Sequence, residues 1–319
     1  MLYSILKFPA QLALRIFCKR IVVNDKTNFA HTGPLLIAAN HPNSFLDAII
    51  LATLFKKPIY SLARGDAFIN PFIKKILNAL HILPVYRITE GAENLNTNYD
   101  TFERCREIFK QDGIVLIFSE GLCVNEWKLR ALKKGTARLA FSCWQAGIPL
   151  TVLPTGINYH SFDALGKVVE LHFGEPIHAH EFDLSASDGV AIKSFNAQLK
   201  NALQPLVIEK EKTDRAGIVS RFDKPIHPIK KRLLFLPAMF GKWLHAPIYK
   251  PLQQFSAKRY QRLDHYDSVL LGLLFLLYPI FVLALAVTVS LLLGLWMGVL
   301  VFVLLPLLAW SYVQWKTLR

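Results

Sequence analysis

The stretch PLLIAANHPNSFLDAIILATLF, residues 34 to 55, interrupts an apolar run with a histidine, an amide, a hydroxyl and a carboxylate. Residues 34–40 have the composition of a buried strand, and residues 44–55 that of a helix with Ser44 as a possible N-cap. His41 therefore falls where a strand ends, and Asp47 falls in the helix that follows. In parallel sheets, ligands bind beyond the carboxyl ends of strands, so this joint is predicted to be a functional site.

Short apolar runs and helical patterns alternate around this stretch. Such alternation predicts an α/β domain with a central, mostly parallel sheet flanked by helices. Strands are predicted at 34–40, 58–63, 114–121, 149–159 and 167–177, and a short strand or loop at 82–87. Helices are predicted at 44–55, 70–80, 99–113 and 135–147.

The rest of the chain is predicted to serve membrane attachment. Residues 1–20 have the pattern of an amphipathic helix on a membrane surface. The α/β domain is expected to occupy residues 21–215. Residues 216–267 mix prolines, aromatic residues and lysines, which indicates an interfacial linker to two transmembrane helices in residues 268–315.

The last of these segments is unusually apolar. From Ser268 to Trp315 there are 48 consecutive residues without Asp, Glu, Lys, Arg or His. As a helix they would span about 72 Å, roughly twice a hydrocarbon core of about 30 Å, so two helices are predicted. They are expected to reverse near Ser290–Gly294, where SLLLG ends in a glycine that can terminate a helix. A buried hairpin of a soluble protein is the alternative. Basic residues at both ends of the hairpin place the α/β domain on the cytoplasmic side of the membrane.

The net charge of +14 is compatible with three kinds of partner: nucleic acid, an anionic membrane, or an anionic substrate. The predicted hairpin favours anionic membrane lipid. The sequence has no zinc-finger spacing, RNP motif or helix-turn-helix pattern, which argues against nucleic acid. The four cysteines form no CxxC pair and indicate neither a zinc site nor a disulfide framework. Nothing in the sequence indicates an oligomeric state.

The chemistry predicted for the joint depends on His41 and Asp47. A loop-borne imidazole can fold back onto a carboxylate in the next helix. A carboxylate on Nδ1–H leaves Nε2 as a base, which suits activation of a hydroxyl that arrives with the substrate. Asp47 as an ordinary acidic residue near a helix N-terminus is the competing interpretation.

Further polar residues follow other predicted strands. Arg87 is either a solvated arginine or a clamp for a phosphate. Glu120 needs a partner, and Gly121 permits positive φ or close approach of a ligand. Four cations follow that form either a solvated face or an anion site at a helix N-terminus: Lys128, Arg130, Lys133 and Lys134.

Four blocks resemble, in order and spacing, the glycerolipid acyltransferases of the PlsC type. That family carries His-x4-Asp, a block ending in Arg, Phe-Pro-Glu-Gly, and a proline-containing strand. The resemblance covers roughly residues 20 to 180. The matching blocks here are HPNSFLD (41–47), LPVYR (83–87), FSEG (118–121) and GIPLTVLPTG (147–156).

Two departures from the family pattern are visible. Five residues rather than four separate His41 from Asp47, and Asn43 stands two after the histidine. This spacing looks like the subgroup that includes fungal glycerol 3-phosphate and dihydroxyacetone phosphate acyltransferases. Ser119 replaces the proline of the third block, and LCVNE follows where the family has Thr-Arg-Ser. The usual arginine is therefore missing, and Lys128 or Arg130 is its expected replacement.

The resemblance implies a membrane-bound O-acyltransferase of phospholipid synthesis. The donor would be acyl-CoA or acyl carrier protein, used as a co-substrate without a metal or bound cofactor. The acceptor would be glycerol 3-phosphate or lysophosphatidic acid. A lipid hydrolase is an alternative, although the sequence has no GxSxG nucleophile elbow, and a non-catalytic lipid-binding relative is another. The implied roles are His41 and Asp47 as catalytic residues, Arg87, Glu120, Gly121, Lys128 and Arg130 as phosphate ligands, and Asn43, Ser44, Lys133 and Lys134 as supporting residues.

Overall fold

In the described part of the chain, the fold is built around a seven-stranded sheet with strand order β1-β7-β6-β2-β5-β3-β4. This is a computed structural model, which describes residues 1–86, 95–224 and 226–318. Neighbouring strands are parallel except β6 and β7, which are antiparallel, so the predicted mostly parallel sheet is confirmed. The strands are β1 (Cys18–Val23), β2 (Leu35–Ala39), β3 (Ile59–Arg64), β4 (Ile82–Val85), β5 (Ile114–Phe118), β6 (Thr151–Tyr159) and β7 (Lys167–Phe173).

Helices cover both faces of the sheet and form a separate bundle at the C-terminal end. The predicted helices near 44–55, 70–80, 99–113 and 135–147 are all present. The helices are α1 (Leu2–Phe17), α2 (Ser44–Leu54), α3 (Pro71–Ala79), α4 (Leu95–Lys110), α5 (Lys134–Gln145), α6 (Asp188–Leu203), α7 (Arg215–Phe222), α8 (Pro228–Tyr260), α9 (Tyr266–Leu293) and α10 (Leu295–Trp315).

Several elements were not predicted. Strand β1 adds an edge to the sheet through parallel pairing with β7. Helices α6 and α7 occupy a region without a clear pattern. Much of the predicted linker is one helix, α8, which continues through three internal prolines. Pairing with a distant strand and packing between helices determine these elements, and neither leaves a local periodicity.

Strand β2 is buried on both faces and separates two hydrophobic cores. Leu36 and Ala38 join the core beneath α4, α5 and α6. Leu35 and Ile37 join the core beneath α1, α2 and the start of α9. Successive side chains of a strand point to opposite faces, which is why this apolar run shows no alternation with polar residues.

Helix α1 packs against the C-terminal end of α2. The Tyr3 hydroxyl donates a hydrogen bond to the Ala52 carbonyl at 3.1 Å, and Gln11 Nε2 donates to the Thr53 carbonyl at 2.6 Å. These contacts satisfy carbonyls that a helix end leaves unpaired. The opposite face exposes three large apolar side chains, so the helix is amphipathic as predicted: Ile5, Phe8 and Leu12.

Helices α9 and α10 are long and apolar enough to cross a membrane, judged by length and composition. They reverse at Gly294, as predicted, where a φ of 95° requires a residue without a Cβ. The predicted boundary at residue 267 divides a packed region, because the first turns of α9 belong to the core of the α/β domain. Four residues there are buried: Tyr266, Asp267, Ser268 and Leu270.

Candidate active site

The site lies at the carboxyl ends of β2 and β5, two adjacent central strands. Their register pairs Ala39 with Phe118. His41 and Glu120 each follow by two residues, so the sheet itself brings them side by side. The His41 ring stacks on the Phe118 ring with 3.7 Å between centroids. We call residues 40–43, which connect β2 to α2, the His41 loop.

The expected contact between His41 and Asp47 is present. His41 Nδ1 lies 2.9 Å from Asp47 Oδ2, and the carboxylate is fully buried while the imidazole is 17% exposed. The Asn43 amide donates to the same oxygen at 2.9 Å, and the Tyr159 hydroxyl donates to Oδ1 at 2.7 Å. With Nδ1 as the donor to Asp47, the other ring nitrogen of His41 is free to act as a base.

Tyr159 was not predicted as a site residue. It ends β6, beyond the position paired with β2, and its side chain is fully buried. Burial, and then the charge of Asp47, raise its pKa well above the usual value of a phenol. The hydroxyl therefore keeps its proton and serves as a donor to the carboxylate. A tyrosine in an apolar strand is a common core residue, and no sequence signal distinguished it.

Ser44 does not cap α2, contrary to the prediction. The N-cap is Asn43, without a side-chain capping bond, and Ser44 is the first helical residue with a φ of 51°. Its amide donates to Cys123 Sγ at 2.9 Å. Ser44 lines the cavity described below, but within the described residues no hydrogen bond joins its hydroxyl to His41. The pair needed for a serine hydrolase is therefore not formed here.

Glu120 has a different environment from that of a phosphate ligand. Its two oxygens accept hydrogen bonds from the backbone amides of His41 and Arg130, both at 2.8 Å. The side chain is 4% exposed, and burial raises its pKa although the two amides oppose that change. The carboxylate thus holds the His41 loop against residue 130, and it does not line the cavity.

Gly121 occupies a turn that other residues would strain. Its φ is 64°, and a Cβ built there would lie 2.9 Å from Lys133 Cγ. Gly121 therefore adopts the positive φ that the sequence analysis allowed for it. Gly121 and Lys133 both line the cavity.

The other predicted phosphate ligands are placed differently from one another. Arg130 Nη1 donates to Glu126 at 2.7 Å, and neither Lys128 nor Arg130 lines the cavity. The two therefore do not replace the missing family arginine at this cavity. Lys133 and Lys134 do line it, where α5 begins. Arg87 lies outside the described residues, so its predicted role stays a prediction.

A cavity of about 2310 Å³ passes His41 and extends along both faces of the sheet. One part has an apolar lining from α1, α2 and α9. Another part has cations whose side chains form no ion pair among the described residues: Lys133, Lys134 and Arg138. The apolar lining includes Leu6, Ala10, Phe45, Ala48, Ile49, Leu271 and Phe275.

Two further contributors were also missed. The Asn40 side chain bonds both the amide and the carbonyl of Ile157, at 2.7 and 3.0 Å, which extends the pairing of β2 with β6. His265, just before α9, lines the cavity from a segment predicted to be a linker, and burial lowers its pKa.

In the part of the chain that the structure describes, no group of three His, Cys, Asp or Glu side chains is arranged to hold a metal ion.

Part of the chain is similar to known acyltransferases. Residues 20–158 match the family model described as Acyltransferase. A chloroplastic 1-acyl-sn-glycerol-3-phosphate acyltransferase of Arabidopsis thaliana is 28% identical over 154 residues, which cover 48% of this chain and 41% of that protein. A 1-acyl-sn-glycerol-3-phosphate acyltransferase of Chlamydomonas reinhardtii is 26% identical over 142 residues, which cover 44% of this chain and 40% of that protein.

The aligned segment is therefore about two fifths of the length of these curated relatives. A solved structure, the 1-acyl-sn-glycerophosphate acyltransferase PlsC of Thermotoga maritima, aligns with a TM-score of 0.44 and 18% identity. That alignment covers 63% of this chain and 79% of the other. All four sequence blocks lie within residues 20–158, and the family match supports the acyltransferase resemblance that they carry.

Proposed function

We propose that this protein transfers a fatty acyl group to 1-acylglycerol 3-phosphate, because residues 20–158 match the Acyltransferase family model and the curated relatives are 1-acyl-sn-glycerol-3-phosphate acyltransferases. The donor is a thioester, acyl-CoA or acyl carrier protein, used as a co-substrate. The observation that carries the proposal is the His41–Asp47 pair, which opens on a cavity with an apolar and a cationic part. Glycerol 3-phosphate is the other acceptor that the sequence predicts.

The arrangement supports general-base catalysis. His41 Nε2 takes the proton from the acceptor hydroxyl while that oxygen attacks the thioester carbonyl. A carbon–oxygen bond forms, the carbon–sulfur bond breaks, and the proton on Nε2 passes to the leaving thiolate. Asp47 holds the proton on Nδ1 and stabilises the imidazolium that forms between these steps, and this mechanism uses no metal ion.

The lining of the cavity supports a phosphorylated, acyl-bearing substrate. Lys133 and Lys134 provide positive charge where the N-terminus of α5 adds its own preference for anions. The apolar part is walled by α1, α2 and α9, which suits acyl chains. His41 lines the same cavity. The names of the relatives favour 1-acylglycerol 3-phosphate over the smaller acceptor.

Several surfaces support attachment to an anionic membrane. The α/β domain is placed on the cytoplasmic side in this proposal because basic residues flank the apolar hairpin in the sequence. Helices α9 and α10 have the length and composition of membrane spans. The amphipathic helix α3 has no buried residue, and it exposes Phe72, Ile73 and Ile76 beside Lys74 and Lys75. An exposed apolar face edged by lysines suits the boundary between acyl chains and anionic headgroups.

The proposal is tested by acyl transfer from acyl-CoA to 1-acylglycerol 3-phosphate with the full chain in detergent. We expect turnover, and a loss of at least about 100-fold in kcat for His41→Ala, the lower end for general-base catalysis. The exposed His180 provides a matched control, and His180→Ala should retain the wild-type rate. Unchanged turnover in His41→Ala would contradict the mechanism.

A parallel assay with glycerol 3-phosphate decides the acceptor. A higher kcat/KM with glycerol 3-phosphate would show that the acceptor assignment is wrong while the transferase assignment holds. Release of free fatty acid without any acceptor product would instead favour the lipid hydrolase.

A further inference from the structure

The first turn of α9 is hydrogen-bonded directly to the His41 loop and to the start of α2. The Ser268 hydroxyl donates to the Asn43 carbonyl at 3.0 Å and accepts from the Leu46 amide at 3.0 Å. Asn43 Nδ2 donates to Asp267 Oδ2 at 2.8 Å. Asn43, Asp267 and Ser268 are fully buried. Two adjacent residues of a candidate membrane helix therefore make three hydrogen bonds to the joint that carries the candidate catalytic pair.

Lys167 anchors this turn to the sheet. It belongs to β7, is fully buried, and forms an ion pair with Asp267. Its ammonium also lies 3.4 Å from the Ser161 carbonyl and 5.3 Å from the centre of the Phe17 ring. The position of Asp267 is thus set by the sheet as well as by α9 itself.

Asn43 connects this anchor to the candidate catalytic pair. Its side chain donates to Asp267, while its backbone amide donates to Asp47 Oδ2 at 2.9 Å. That oxygen is the one that faces His41 Nδ1. The contacts run without a break from Lys167 through Asp267, Asn43 and Asp47 to His41.

The loop needs external support because its backbone is strained. Ser44 is not a glycine, yet its φ is 51°. A residue in that region costs about 1 to 3 kcal/mol and persists only where surrounding contacts hold it. The Ser268 hydroxyl donates to Asn43 and accepts from Leu46, and these two residues lie on either side of Ser44 along the chain.

Stability alone does not explain this arrangement. A buried ion pair is often no more stabilising than apolar side chains of the same volume. Among the described residues, Asn43 Oδ1 and Asp267 Oδ1 are buried and accept no hydrogen bond, which adds a cost. Groups that reduce stability are expected where they serve a site.

We propose that Lys167, Asp267 and Ser268 are positioning residues for His41, so that the first turn of α9 sets the geometry of the candidate catalytic pair. The effect of this positioning on kcat rests on the proposed acyltransferase function. Its effect on the orientation and tautomer of the His41 ring does not depend on that function.

The kinetics of two test variants, Ser268→Ala and the double variant Lys167→Met/Asp267→Leu, test the proposal. Ser268→Ala removes two hydrogen bonds to the joint without changing a charge, and Ser268→Thr keeps the hydroxyl. The double variant Lys167→Met/Asp267→Leu removes the buried pair without leaving an unpaired charge. We expect kcat to fall by about 10- to 100-fold in Ser268→Ala and in the double variant, with little change in KM, because small misplacements of catalytic groups cost that much.

The controls separate positioning from folding. Ser268→Thr should restore most of the lost kcat. The exposed pair of Lys110 and Glu107 offers a matched double variant, Lys110→Met/Glu107→Leu, which should keep the wild-type kcat. If both test variants keep wild-type kcat, or if kcat falls only in proportion to the fraction of unfolded protein, the proposal is wrong.

A second readout does not depend on activity. In ¹⁵N-histidine-labelled protein in detergent, the imidazole resonances of His41, assigned with His41→Gln, report its tautomer and exchange. We expect a single Nδ1–H tautomer in the wild type and in the Lys110→Met/Glu107→Leu control, and a mixture or exchange broadening in the two test variants. Unaltered His41 resonances in the test variants would overturn the positioning role. Absence of acyl transfer by the wild type would overturn the proposed function alone.

Discussion

The His41 loop and the β5–α5 connection, residues 119–133, meet at the same edge of the sheet, but they are built differently. The loop is short, and its key contact joins two residues six positions apart in the chain. The longer connection wraps around that loop through contacts with distant residues. The Val124 amide donates to the His41 carbonyl at 3.2 Å, and Asn125 Nδ2 donates to the Pro42 carbonyl at 2.7 Å.

This difference explains which expectations for the site held. In a short strand-to-helix joint, backbone geometry limits where an imidazole and a carboxylate can go, so spacing predicts their contact. In the longer connection, residue type alone does not predict the partner. Glu120 bonds two backbone amides, and Arg130 pairs with Glu126. The contact between His41 and Asp47 is thus encoded locally in the sequence, whereas the contacts that support the His41 loop come from residues distant along the chain.

The largest fall in kcat should come from disrupting the contact between His41 and Asp47. Asp47→Asn keeps the shape of the side chain but presents an amide that favours the wrong tautomer of His41. We expect kcat to fall by about 10³- to 10⁴-fold. We also expect a loss of about 1 to 3 kcal/mol in the free energy of unfolding, because both Asp47 oxygens are buried hydrogen-bond acceptors and the new NH₂ group would face a donor. Tyr159→Phe removes only one donor to Asp47 and should cost much less. Measured kcat values in detergent decide this, and an Asp47→Asn variant above about one tenth of wild-type activity would contradict it.

A substitution that disrupts the β5–α5 connection should lower both the stability of the fold and kcat. Glu120→Gln replaces an oxygen that accepts an amide hydrogen bond with a donor NH₂ group. We expect a loss of about 1 to 3 kcal/mol in the free energy of unfolding and about a 10-fold fall in kcat. Glu126→Gln, at a more exposed ion pair, is the control and should change neither quantity much. Equal effects of the two variants would argue against the support role of Glu120.

The lysines of the β5–α5 connection should contribute differently to substrate binding, depending on whether they line the cavity. Lys133 lines the cavity and Lys128 does not. We expect Lys133→Met to raise KM for the anionic substrate by about 10-fold at unchanged kcat, as for loss of one charged contact, and Lys128→Met to leave KM unchanged. Steady-state kinetics at constant ionic strength measure this. A larger effect of Lys128→Met would restore the assignment made from the sequence.

The smallest effect concerns pH and the strand that supports Asp47. His160 follows Tyr159, is 3% exposed, and accepts a hydrogen bond from the Val168 amide at 3.0 Å. Burial, and then the charges of Lys167, Lys316 and Lys19, lower its pKa to about 3. A histidine whose folded-state pKa lies below its unfolded value stabilises the fold above the unfolded pKa, and this stabilisation is lost as pH falls.

Stability should therefore decrease by about 1 kcal/mol between about pH 7.5 and about pH 5.5 through this group. Thermal unfolding in detergent across that range measures the effect, and His160→Gln should flatten the profile. An unchanged slope in the variant would show that His160 is not the titrating group.

Most of the fold was predictable because its elements repeat local patterns. Buried parallel strands appear as short apolar runs, helices as periodic segments, and the reversal at Gly294 as a glycine that ends an apolar helix. Strand β1 was not predicted, since its pairing with β7 joins residues far apart in the chain. The sequence also did not reveal that the first turn of α9 is part of the domain core.

The sequence by itself determined the α/β class, the family resemblance and the contact between His41 and Asp47, because periodicity and short spacing constrain the backbone directly. Only the tertiary structure decided how Tyr159, Glu120 and Asp267 bear on that pair. Each reaches the His41 loop or Asp47 through hydrogen bonds to backbone or buried polar groups distant along the chain. Such bonds depend on how strands and helices pack, and packing leaves no periodic signal around the residues that use it.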